Sequence, residues 1–263
     1  MGYKIRWTTH DLYVESALGT DRIWASFVEE GFQDFTASYI HAKRPNRKIE
    51  DCTYERRLTL LSVVGALVSF EDEYADFCGG AHPSEDYRFT TLDLSKSGGI
   101  SYVRQESTPM MNIDMADPPK KIVKLTDYFA GRDILRALLA DRVIQTALDS
   151  FDLKPPPRSL RELSDLLATQ GYVLGSSGLG LPPDYLTRFA FHHLEGDKVA
   201  VRLSLSSASV ANQSEREQIG LLLPVPEKLA APFRSASTGR QGFLMKDTER
   251  IARGKATVFN FPE

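Results

Sequence analysis

Cysteine is almost absent: Cys52 and Cys78 are the only two in 263 residues. Two thiols cannot form a four-thiolate zinc site, and there is no Cys-x-x-Cys pair. A dominant charge sign is lacking too. Thirty-two basic against 35 acidic residues leave a net charge of −3, so the basic stripe of a nucleic-acid binder is not there. The short basic run Lys43–Lys48 reads as a solvated helix exit. No apolar stretch reaches the roughly 18 residues of a membrane span. The longest, Leu58–Phe70, is rich in valine and leucine and reads as β structure. Met1-Gly2-Tyr3-Lys4 leads straight into mixed polarity, without the apolar core of a secretory signal, so a cytosolic protein or a mature exported form is expected.

Spacing leaves the state of the two cysteines open. Bonded, they would close a loop of about 26 residues, contribute roughly 3–4 kcal/mol by chain entropy and imply an oxidising compartment. Two buried free thiols fit the spacing equally well.

What is present is a mixture of helical and strand periodicities, arranged in blocks. Asp21 is placed to cap a helix running to about Ala42, with Trp24, Phe27, Val28, Phe32, Phe35 and Tyr39 on one face. Such a stripe predicts a helix packed on a sheet. Leu58–Phe70 fits either one strand buried on both faces or a strand pair broken at Gly65. Asp86–Leu94 follows as another strand, Ser97-Gly98-Gly99 as a turn and Pro109–Pro119 as irregular chain. A long helix is expected from about Arg132 to Leu148. Pro155-Pro156-Pro157 is a stiff spacer, and Ser159-Leu160-Arg161-Glu162 is a capping box opening a helix that stops before Gly171. The segments Leu186–His193 and Lys198–Leu205 flank Glu195-Gly196-Asp197 as a hairpin, and Ile219–Val225 is a further strand. Val258–Phe261 is an isolated apolar patch near the end, able to add an edge strand or to hang free. This block order predicts an α+β fold with antiparallel sheets packed against a few helices.

Chemistry-bearing patterns are few. His192-His193 looks like a metal pair, but neighbouring side chains of a regular strand point to opposite faces and cannot easily grip one ion. Gly175–Gly180 matches neither a phosphate-binding loop nor a dinucleotide fingerprint, and no Gly-x-Ser-x-Gly elbow exists, so no cofactor is implied. The most distinctive stretch is Phe77-Cys78-Gly79-Gly80-Ala81-His82-Pro83, a Gly-Gly corner carrying one histidine. Glu71, Asp72, Glu73 and Asp76 precede it, and Glu85 and Asp86 follow. On a strand, Glu71 and Glu73 share one face and Asp72 takes the other. The bracket of carboxylates predicts a negative rim able to steer a cationic partner. His82 beside a carboxylate is also an acid–base candidate, and a histidine bonding its own turn is the structural alternative.

Val63–Phe70, Glu73-Tyr74, Gly79-Gly80-Ala81-His82, Thr91-Leu92-Asp93-Leu94 and Lys124–Phe129 together resemble exported bacterial domains of the RsiV-like family. The resemblance covers about four-fifths of the chain and is most specific at the Gly-Gly-Ala-His corner. It implies a two-lobed α+β arrangement, divided here into 1–115, 116–235 and a tail, 236–263. It also implies a home outside the cytoplasmic membrane and no catalytic activity of its own. The implied partner is a lysozyme-type muramidase or peptidoglycan, met by Glu71, Asp72, Glu73, Asp76, Gly79, Gly80, Ala81 and His82. The chain departs from the family pattern at Cys78, where threonine is usual, and at Pro83, where glycine is common. The change at Cys78 suits a Cys52–Cys78 disulfide and a periplasmic location. No membrane span or deacetylase domain accompanies it.

Overall fold

The computed structural model describes residues 2–17, 19–41, 48, 51–79, 83–96, 122–150, 155–170, 179–180, 184–207, 218–253 and 256–261. The architecture is α+β with antiparallel sheets, as the block order predicts. The predicted turn at Ser97-Gly98-Gly99, the irregular segment Pro109–Pro119 and the glycine-rich Gly175–Gly178 lie outside the described residues.

The first sheet has four strands in the order β12-β1-β2-β3: β1 (Tyr3–Thr8), β2 (Leu12–Ser16), β3 (Gly19–Arg22) and β12 (Ala256–Phe261). Alternation sends Ile5, Trp7, Leu12 and Val14 inward. Helix α1 (Ile23–His41) follows β3 directly. Its cap is not Asp21, which lies within β3. The buried carboxylate of Asp11 takes that role, accepting from the backbone N–H groups of Trp24 (3.0 Å) and Ala25 (3.4 Å) while Arg22 Nε donates to it at 2.8 Å. A residue held in the β1–β2 turn thus satisfies donors that a helix start leaves orphaned. The aromatic stripe on α1 divides. Trp24 and Phe27 are core, whereas Phe32 is 52% exposed.

The second sheet is the meander β4 (Thr53–Val64), β5 (Leu67–Phe77) and β6 (Ser84–Asp93). Of the two readings of the 58–70 run, the strand pair is the one observed. Val64 pairs with Leu67 across a Gly65-Ala66 turn, and Gly65 holds φ +58°. Phe243 exchanges both backbone hydrogen bonds with Val63, at 2.9 and 3.0 Å.

The predicted helix over 132–148 is two helices, α2 (Gly131–Ala140) and α3 (Arg142–Ser150). Asp141 breaks the run by turning extended (ψ 134°) and capping α3 through Val143 N–H at 2.9 Å. The break lets Ile134 and Leu138 of α2 and Ile144 and Ala147 of α3 enter one core. Helix α4 (Leu160–Gln170) opens as expected, with Ser159 Oγ accepting from Glu162 N–H at 3.1 Å. The Glu162 carboxylate reaches Arg158 N–H at 2.7 Å, one residue before the cap.

The third sheet has the order β11-β9-β8, from β8 (Phe189–Glu195), β9 (Lys198–Ser204) and β11 (Gln218–Pro224). The hairpin starts later than predicted because Tyr185–Thr187 forms a 3₁₀ turn and Leu186 belongs to it. The two-residue strands β7 (Leu179–Gly180) and β10 (Ser206–Ser207) pair with each other. Helix α5 (Glu227–Ser237) packs Phe233 edge-to-face on Phe191, and the short helix α6 (Thr248–Ala252) leads to β12. Within 236–263, Phe243, Leu244 and Phe261 are buried and β12 pairs with β1 from Tyr3↔Phe261 to Thr8↔Ala256.

Candidate functional site

The acidic segment forms part of β5, the central strand of its sheet, so its side chains are divided between two faces. One face carries Asp72, Tyr74 and Asp76, with Leu58, Arg56 and Tyr54 opposite on β4 and Arg88, Asp86 and Ser84 opposite on β6. The other carries Glu71, Glu73, Ala75 and Phe77. Gly79 has φ +75°, as the corner requires, but Gly80, Ala81 and His82 lie outside the described residues. Cys52 and Cys78 are disulfide-bonded. They flank the cross-strand pair Thr53↔Phe77 and so tie the open end of the β4–β5 hairpin.

Asp72 does not contribute to a surface rim. Its carboxylate is fully buried and gripped by two arginines. Arg56 donates Nε to Oδ1 at 2.7 Å and Nη2 to Oδ2 at 2.6 Å, a bidentate fork, and Arg88 approaches Oδ2 at 3.3 Å. Burial alone would lower the Arg56 pKa, but the Asp72 hydrogen bonds and charge outweigh it and hold the group up. Arg56 also donates to the Phe27 carbonyl on α1. A side chain at Gly31 would collide with Tyr54 and Arg56, so the missing Cβ is what lets the helix sit so close to β4. Asp72 is thus a structural anchor, and its charge is neutralised within the fold.

On the other face the register produces cross-strand rows. Glu55, Ala75 and Glu85 form one; Arg57, Glu73 and Tyr87 the next; Thr59, Glu71 and Phe89 a third. Arg57 Nη1 stands 3.8 Å from Glu73 Oε2. Four carboxylates therefore share this face with one guanidinium. Glu55 and Glu85 are exposed, and Phe77 at the hairpin end is 37% exposed. The lower part of the face is covered where Leu61, Tyr87 and Phe89 pack on Ala190 of β8. On the opposite face, Phe35 stacks on Tyr54 with centroids 5.4 Å apart, and Phe32 meets both rings.

Asp86 has a raised pKa because burial disfavours its charge, with the Arg188 and Arg88 charges pulling the other way. Arg188 Nη1 lies 3.9 Å from Asp86, while its Nε donates to Asp184 at 2.9 Å.

The expectation for His192-His193 is overturned. A β-bulge interrupts the β8–β9 register between Phe191 and His193. Phe191 and Leu194 both pack with the core, so the two histidines between them share the outer face. Their Nδ1 atoms are 2.7 Å apart, a hydrogen bond in which one ring donates its proton to the other. Bulges re-aim side chains in this way, and a period-2 reading has no means of anticipating them. Among the described residues no group of three or more His, Cys, Asp or Glu could hold a metal ion.

Comparison with protein-family models, with curated proteins and with solved structures returned no match. The likeness to RsiV-like domains therefore rests on the sequence motifs alone.

Proposed function

We propose that this chain is an exported, non-catalytic binding domain of the cell envelope whose partner is a cationic lysozyme-type muramidase. The observation that carries the reading is the outer face of the β4–β6 sheet, where Glu55, Glu71, Glu73 and Glu85 share one side of the strands with Arg57. A strand-paired carboxylate surface is rigid, and such a surface speeds and orients the approach of a basic protein. The half-exposed Phe77 adds an aromatic contact of the kind that anchors protein interfaces. The Cys52–Cys78 disulfide supports a periplasmic location, since such bonds persist where thiols are not kept reduced. The motif likeness to RsiV-like domains supports the same reading. Among the described residues no helix is long and apolar enough to cross a membrane. The alternative, an envelope polysaccharide-acting enzyme using His82 with a nearby carboxylate, depends on a residue that lies outside the described residues.

The test is calorimetric titration with a cationic lysozyme, with residual muramidase activity followed in parallel. Saturable binding is expected, weakening as salt rises and lost in Glu55→Lys/Glu73→Lys/Glu85→Lys. No binding heat at low salt would remove this partner; retention by peptidoglycan sacculi would then make the glycan the ligand. Binding that survives the triple reversal would move the contact off this face.

A further inference from the structure

The first sheet carries a shallow concavity of about 520 Å³ at one end, lined by Tyr3, Lys4, Glu15, Gln241, Asn260 and Phe261 among others. The strand register builds it. Lys4 on β1 stands between Asn260 on β12 and Glu15 on β2. An amide, an ammonium and a carboxylate therefore cross three adjacent strands, spaced about 4.8 Å apart, in one row. The row is on the outer face, because Ile5 and Val14 beside it are buried on the other. The side chains of Lys4 and Glu15 are 42% and 33% exposed, and Asn260 is exposed.

The polar groups are held in place. Lys4 Nζ donates to Glu15 Oε2 at 2.9 Å. Arg6 Nε reaches Glu15 Oε1 at 3.4 Å while its guanidinium lies 3.8 Å over the Tyr13 ring. Gln241 Nε2 donates to the Asn260 carbonyl at 3.1 Å, which ties the chain before Phe243 to the edge strand. At the strand ends the Tyr3 and Phe261 rings stack, with centroids 4.8 Å apart and planes within 17°. Donors and acceptors are thus interleaved beside an aromatic pair.

We propose that this concavity binds a neutral oligosaccharide. A sugar hydroxyl both donates and accepts. The Lys4–Glu15 pair offers a donor and an acceptor at a separation close to that of neighbouring hydroxyl oxygens on one ring. The Asn260 side chain adds both functions in one group. The Tyr3–Phe261 pair supplies the apolar surface against which the C–H face of a sugar packs. An apolar ligand would strip water from these polar groups without replacing its hydrogen bonds. A simple ion finds the charges of Lys4 and Glu15 already engaged with each other. The volume falls within the range of about 300–1,000 Å³ usual for small-ligand sites.

The concavity lies on a different sheet from the acidic face, so it can fail without touching the muramidase reading. The experiment follows the amide resonances of the ¹⁵N-labelled full chain, adding cellotriose in one arm and its N-acetylated counterpart, chitotriose, in the other. Saturable shifts are expected at Lys4, Glu15 and the side-chain amides of Gln241 and Asn260. The arm with the lower half-saturation concentration shows whether the favoured ring carries hydroxyls alone or acetamido groups. Glu15→Ala should raise half-saturation about tenfold, the usual consequence of losing a charged hydrogen-bond partner. Asn260→Ala should raise it less, because the lost group is neutral. Absence of saturable shifts in both arms would overturn the proposal, as would shifts scattered over the surface away from these residues. So would unchanged half-saturation in both variants, with near-UV circular dichroism confirming that each is folded.

Discussion

Two three-stranded antiparallel meanders in this molecule each turn one face to the main cores and meet in part through the other, where Leu61, Tyr87 and Phe89 pack on Ala190, yet these second faces set out their polar side chains by different means. On β4–β6 strict alternation delivers one side chain per two residues, and the carboxylates line up in rows because the register never slips between Thr53 and Leu60. On β8, β9 and β11 a single extra residue breaks alternation and sets two imidazoles side by side. The first surface is spread over a span of strand and suits a large partner. The second is concentrated at one point, the paired imidazoles. The inner supports differ as well. The acidic meander is braced by a buried ion triad and a disulfide; the histidine meander relies on apolar packing against α2, α3 and α5.

The largest effect should come from removing that bracing. Asp72→Ala leaves Arg56 and Arg88 buried without their counter-ion, and a loss of about 3–5 kcal/mol in unfolding free energy by chemical denaturation is expected. A loss below about 1 kcal/mol would mean that the arginines relax to water and that the triad is not a brace. Next in size is the disulfide. Cys52→Ser/Cys78→Ser should cost roughly 3 kcal/mol by the chain-entropy argument, measured in the same way, because a loop of 26 residues is no longer closed in the unfolded chain.

The smallest effect concerns His192 and has a defined sign. Burial, then the charges of Arg202, His193 and Lys246, hold its pKa below the ordinary 6.5. The folded protein therefore binds this proton less readily than the unfolded chain. Its contribution to stability is intact above pH 6.5 and is lost as pH falls below that value toward the depressed one. His192→Gln should flatten the fall in denaturation midpoint between pH 7 and pH 5. An unchanged profile would show that other groups set the acid limb, and the contrast between the two faces would then be one of shape alone.

Patterns with a local cause were legible in the sequence. The Gly65 turn, the alternation of Val199, Val201 and Leu203, and the Ser159 cap each depend on neighbours a few residues away. What escaped depended on distant partners. Asp11 caps a helix that begins at Ile23, two strands further along the chain. Asp141 interrupts an otherwise continuous helical periodicity, and the two short helices both send apolar residues into one core. For the site, the facing of Glu71 and Glu73 followed from strand geometry. The neutralisation of Asp72 did not, since Arg56 and Arg88 look like any other charged strand residues until the register sets Arg88 opposite it and Arg56 diagonally across from it. The exposure of Phe32 was hidden by a stripe that looks uniform in sequence.

The Cys52–Cys78 bond joins the chain just before β4 to the chain just after β5. Every peptide bond of that hairpin, its turn included, therefore lies inside a covalent ring. A protease that cut the ring once would release nothing. The halves would migrate as one species on a gel until a reductant was added, and then as two.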